Sequence, residues 1–432
     1  MRLFRFDGEL NTIARIFLSV SVTVIALASF FGAAGALTGN LFLLKLHPYL
    51  FFIGFGNLAI LIFNRYLTAA IYPELKIDPS KQLHYIYAIL FALFMITVSI
   101  AMEWPLLKAV TGLLLMVIVA GPIKEIFTTL SVPRIWKEVS VRYYIFDVLF
   151  LLVANIGLFT LGLKEAFPNL RIIPFFVTQS SYFLGSSFPL SISVMGFLYT
   201  YAWSSSSKRE LAKRLFSLWF YVFVGGVLFF LIVILLENYL SMMMISHILL
   251  LGVMALLGSF TIYLYNFFRN KFHHPALAFL LSGIALLFAT GGFGIMNIYY
   301  LKGVHFGTLP PLRFDRMWIY HSHTHAALLG WITFSFIGMI YIVIPSIICS
   351  NSLETLRSKN ALSLLVGQGV MKRAFVQLTV LLLSSSAILL AFFLNNNLLL
   401  GGAGFAYGCA VYYLRVNLHQ TNTNSLTITS LT

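Results

Sequence analysis

The chain alternates long apolar runs with short polar breaks along almost its whole length. A membrane-spanning helix needs about 20 mostly apolar residues. Twelve segments meet that test: 16–37, 43–71, 83–102, 104–123, 143–163, 172–203, 215–236, 239–267, 275–300, 317–347, 374–394 and 397–414. Barrel strands would show short stretches of alternating polarity instead, so the pattern predicts helices. No fixed-period repeat and no domain-sized soluble insert breaks the series. The longest breaks, about 123–142 and 348–373, are basic. The expected organisation is one polytopic all-α membrane domain over 1–418, with a Thr-, Asn- and Ser-rich tail over 419–432 expected to fray.

Composition supports lipid as the solvent. Of 432 residues, 60% are hydrophobic and 9% charged, against roughly 25% charged in soluble domains. The formal net charge is +15. In a soluble protein that would raise nucleic-acid binding. Here the basic residues sit between apolar runs, so they report topology and no nucleic-acid partner is expected. With the N-terminus inside, only Lys45, Lys108, Lys164, Arg171, Lys302, Arg313 and Arg316 of the 28 Lys and Arg fall on the outer side. That bias predicts a multi-pass plasma-membrane protein with both termini cytoplasmic. Cys349 and Cys409 are too far apart in sequence to suggest a disulfide framework. No cleaved signal peptide is expected.

Ionisable residues within membrane spans are costly and point to function. The acids lie almost wholly at segment ends or in breaks, and Asp147 is the main exception. The histidines differ. His47, His247, His321, His323 and His325 fall within apolar segments. In Tyr320-His321-Ser322-His323-Thr324-His325, successive residues turn by about 100°. His323 and His325 therefore point to nearly opposite faces, and one helix can serve a metal on each side. His321 and His325 share a face and offer the alternative of pinching a single ion. His47 opens the second segment. On the alternating topology, segments two and ten run in the same direction. His47 and the His323/His325 pair then lie at similar depth in the outer leaflet, as two ligands of one haem iron would require.

These residues carry a resemblance. From His323 the chain reads H-T-H-A-A-L-L-G-W, with Gly338, Tyr341 and Pro345 following. From Leu46 it reads L-H, with Gly54-Phe55-Gly56 behind. With motifs in the second and tenth of twelve helices, the chain resembles the catalytic subunit of the haem-copper oxidase superfamily. The cbb-type oxidases and their nitric oxide reductase relatives are the nearest in pattern. The resemblance implies an oxidase subunit I-like bundle. In it His47 and His325 would be the axial ligands of a low-spin b-type haem, and His323 the proximal ligand of a second, high-spin haem. It also implies an oxidoreductase acting in a respiratory complex, with other subunits and a cytochrome or quinol donor as partners, and oxygen or nitric oxide as the gas reduced. Arg313 and Arg316, with Lys302, lie just before the histidine motif, where two roles stand equally open: meeting haem propionates, whose carboxylates an Arg fork matches, or ordinary contact with lipid headgroups.

The departure from the family is its copper centre, whose histidines come from the sixth and seventh helices. Residues 172–203 and 215–236 contain no His, and Ser180, Ser181 and Tyr182 are poor copper ligands. His247 alone would hold copper too weakly, so copper is not expected and His247 is a minor metal candidate. The chain has no C-x-x-C-H sequence for covalent haem attachment. Two other readings stand beside the haem protein: a histidine-lined transporter or channel, for which Gly-Gly at 225–226, 291–292 and 401–402 is slight support, and a cofactor-free structural membrane subunit.

Overall fold

The computed structural model describes residues 8–65, 68, 72, 74–75, 77–169, 188–199, 208–235, 239–268, 275–301, 318–348 and 368–429. Among the described residues all regular structure is helical. Helix α1 (Gly8–Thr38) ends at Gly39, whose φ of +69° suits a residue without a Cβ. Asn40 then caps α2 (Leu41–Tyr49) by accepting the Leu43 N–H at 3.2 Å. Asp78 caps α3 (Pro79–Ala101) with Pro79 in the first turn. A tight turn through Glu103 leads to α4 (Pro105–Thr129), which also begins on proline. There follow α5 (Val132–Lys137), α6 (Val139–Ala166), α7 (Phe188–Tyr199), α8 (Arg209–Leu235), α9 (Tyr239–Phe268) and α10 (Pro275–Leu301). The chain finishes with α11 (Trp318–His325), α12 (Thr333–Ile348), α13 (Gln368–Leu394) and α14 (Asn397–Thr429).

Two helices are not α-helical throughout. After α2 the backbone widens into π turns over Leu50–Gly56 and Ala59–Phe63. After α11 it does so over Ala326–Ile332 before α12 resumes. These follow directly on the two histidine positions. π turns are rare and concentrate at functional sites.

Among the described residues, nine helices are long and apolar enough to cross a membrane. The span from Leu41 and the span from Trp318 are the most enclosed, with 83% and 78% of their apolar windows buried, against at most 61% in the others. The histidine-bearing helices therefore form the centre, with lipid-facing side chains such as Phe91, Phe94, Val117 and Phe229 outside. Lipid is as apolar as leucine, so close backbone approach at small residues drives association instead. A Cβ on Gly162 of α6 would collide with the Ala109 backbone of α4, and one on Gly112 with Phe159. Gly401, Gly404 and Gly408 seat Leu37, Ala33 and Phe30, an antiparallel seam between α14 and α1.

Several boundaries differ from the sequence expectation. The break at 123–142 is mostly helical, since α4 runs to Thr129 and α5 and α6 fill the rest. Apolar counting marks the part of a helix that suits lipid and misses its extension into water. The tail expected to fray is helical as far as Thr429, because no Gly or Pro after Gly408 stops α14. Segment 172–203 is described only over 188–199, and the break at 348–373 only at its ends.

Gly162→Ala should cost about 1–3 kcal/mol by overpacking the α4–α6 contact. Gly402→Ala, whose Cβ enters open space, should leave stability unchanged or raised. Thermal unfolding of the two variants in detergent checks the contrast.

Candidate functional site

The site begins with a missing hydrogen bond. Pro48 has no N–H, so it leaves the Leu44 carbonyl one turn earlier without its usual helical donor. His47 uses that carbonyl: its Nδ1 lies 2.8 Å from Leu44 O. A carbonyl only accepts, so Nδ1 carries the hydrogen and, in the neutral ring, Nε2 keeps its lone pair. Gly32 of α1 makes room for the ring, since a Cβ there would lie 3.3 Å from His47 Cδ2.

His323 and His325 are held in the same way by different groups. His323 Nδ1 lies 2.8 Å from the Thr290 carbonyl of α10, and Gly294 lets the ring approach, because a Cβ there would lie 3.0 Å from His323 Cε1. His325 Nδ1 lies 2.7 Å from the His321 carbonyl one turn earlier. Its ring rests 4.7 Å from Phe392 of α13, and His321 stacks on the same Phe392 at 5.3 Å. His323 thus turns to α10 and His325 to α13. The two faces expected from their spacing are distinct, and the shared face of His321 and His325 appears as an edge-on ring contact at 6.2 Å. His321 and His325 thus share the side of α11 that meets Phe392, and His323 is set apart against α10.

His247 lies half-buried in α9. Among the described residues, no three His, Cys, Asp or Glu side chains converge as a metal-holding group. Lys302, Arg313, Arg316 and Ser180 to Tyr182 lie outside the described residues.

Sequence reasoning missed a polar seam along the continuation of α2. Asn155 of α6 donates to Asn57 Oδ1 at 3.2 Å. Further along, Asn64 donates to Asp147 and to Ser193, and Ser193 donates to Asp147 at 2.8 Å. Asp147 is fully buried. The signal was present as three asparagines and an aspartate inside apolar runs, two of them seven residues apart.

No protein-family model matches the chain and no curated protein matches it. A functional reading therefore rests on the chemistry of these side chains.

Asn64→Leu removes the amide donor from a buried carboxyl and should cost about 1–3 kcal/mol. Its size relative to wild type is read from denaturation in detergent, and a surface change such as Lys81→Gln should be near neutral.

Proposed function

We propose that the chain is a b-type haem membrane protein built on the plan of oxidase subunit I. In this reading His47 and His325 hold a low-spin haem, and His323 is the proximal ligand of a second haem. The observation that carries the reading is the common tethering of three imidazoles. Each Nδ1 is committed to a backbone carbonyl, which presents Nε2 for ligation. Haem-ligating histidines are oriented by such an outer partner. A haem iron asks for one or two protein ligands rather than a converging set of three, which suits this donor set. Gly32 and Gly294 let two of these rings lie close against α1 and α10.

The finer parts of the reading follow from the resemblance. The nine long apolar helices, with α9, α14 and the segment containing α7, make up the proposed twelve spans. Arg313 and Arg316 are assigned to the propionates. The protein is placed in the plasma membrane with its N-terminus inside, among respiratory subunits and a cytochrome or quinol donor. Bound haem supplies one-electron chemistry and, where an axial position is open, binds a small gas such as nitric oxide or oxygen. The chain's own residues orient the rings, exclude water and separate the two ligand faces of α11. Copper is not part of the proposal, because its usual histidines are missing from the sequence.

The test is optical. Purified full chain should show a Soret band and a pyridine haemochrome of b type. His47→Ala and His325→Ala should each abolish the low-spin bis-histidine spectrum, while His323→Ala spares it. A colourless protein grown with ample haem, or three variants indistinguishable from wild type, would refute the assignment.

A further inference from the structure

Where α6 and α8 begin, a buried cation stands without an anion. Over 134–142 and 208–217 the chain carries seven Lys or Arg and two Glu. Arg142 of α6 is 5% exposed. Its guanidinium lies 5.5–5.7 Å from the ring centres of Phe220, Tyr221 and Trp136, which offset part of its charge. It donates from Nη1 to Tyr221 Oη at 3.0 Å and from Nη2 to Ser217 Oγ at 3.1 Å, both on α8. Nε has no partner among the described residues. The three ion pairs among those residues leave Arg142 out, and Glu138 and Glu210, the acids that open α6 and α8, belong to none of them. A buried charge with no counter-ion is costly.

The ligand class follows from three features. First, the Ser217 and Tyr221 oxygens accept from Arg142, and among the described residues neither hydroxyl donates a hydrogen bond. Two hydroxyl hydrogens, polarised by one guanidinium, are left for an acceptor. Tyr221 is 50% exposed, so that acceptor comes from outside the bundle. Arg214 is exposed and shares the α8 face of Ser217 and Tyr221, three and seven residues on, so an anion fits best. Second, exposed Trp136 lies 6.3 Å from the Tyr221 ring, and such rings mark the headgroup level of a membrane. Third, exposed Leu218, Leu228 and Ile232 continue the same face along α8. A Cβ on Gly225 between them would meet open space, which leaves room for an acyl chain. A free anion satisfies the first feature alone.

We infer that this face of α8 binds an anionic phospholipid of the adjoining leaflet. The phosphodiester accepts from Ser217 and Tyr221 and faces Arg214, while Arg142 behind the two hydroxyls supplies the balancing charge. One acyl chain lies along Leu218, Gly225, Leu228 and Ile232. A headgroup with its own ammonium brings no net charge and is the weaker ligand. The site uses none of the histidines and does not depend on the haem reading.

The experiment is native mass spectrometry of the full chain in detergent, titrated with dioleoyl phosphatidylglycerol or dioleoyl phosphatidylcholine. The first phosphatidylglycerol should bind about tenfold more tightly than the first phosphatidylcholine. Arg142→Met and Arg214→Gln should each reduce that preference about fivefold, and Lys124→Gln, an exposed change on α4, should leave it unchanged. Arg214 is exposed, so its variant decides the matter if Arg142→Met does not fold. Glycerol phosphate has the anion without the acyl chains and should not displace the lipid at equal concentration. Equal affinities for the two lipids, a folded Arg214→Gln protein with undiminished preference, the same loss in Lys124→Gln, or displacement by glycerol phosphate overturns the inference.

Discussion

Inside a bilayer an imidazole N–H without an acceptor costs several kcal/mol, because no water replaces the missing bond. Regular helices leave few backbone carbonyls to spare. His47, His323 and His325 each find one, and the local backbone is shaped around that need. Pro48 frees the Leu44 carbonyl for His47. Gly294 admits His323 to the Thr290 carbonyl of a neighbouring helix. His325 shares the His321 carbonyl immediately before the helix relaxes into π turns. Fixing Nδ1 in this way fixes which nitrogen is left to act.

The bundle supports those three positions from outside. The two histidine-bearing spans are the most enclosed, and glycine seams let the surrounding helices close on them. Gly330 and Gly338 bring the tenth-segment helix against α10, where a Cβ would strike Leu286 or the Ala276 carbonyl. Tyr341 is tied to Gln377 and Asn417, linking α12 to α13 and α14. Tyr407 of α14 donates to the Leu329 carbonyl within the π turn at 2.5 Å, and Trp331 donates to Ser191 at 3.0 Å. The π turn thus receives support from two sides.

Much of this was legible in the sequence. Apolar run length locates helices because lipid imposes a length, and the i, i+2 spacing of His323 and His325 separates their faces by geometry alone. The glycines and tyrosine that carried the family resemblance prove to be packing and bridging positions in the described helices. What could not be read was of two kinds. π turns have no periodicity signal of their own, since Leu50–Gly56 is as apolar as any α-helical stretch. Partners distant in sequence, such as Asn64 with Asp147 or Lys108 with Glu165, depend on which helices meet. The glycine pair at 291–292, read as slight support for a transporter, adjoins the Gly294 that accommodates His323.

The central claim is that Nε2 of His47 and Nε2 of His325 face a common iron. An experimental density map of the full chain, purified from haem-replete cells, tests this most directly. The account predicts a planar macrocycle between the two helices, joined to both Nε2 atoms, with each Nδ1 still on its backbone carbonyl. A map in which either imidazole faces lipid, or in which the two rings bond to protein groups with no macrocycle between them, would contradict it.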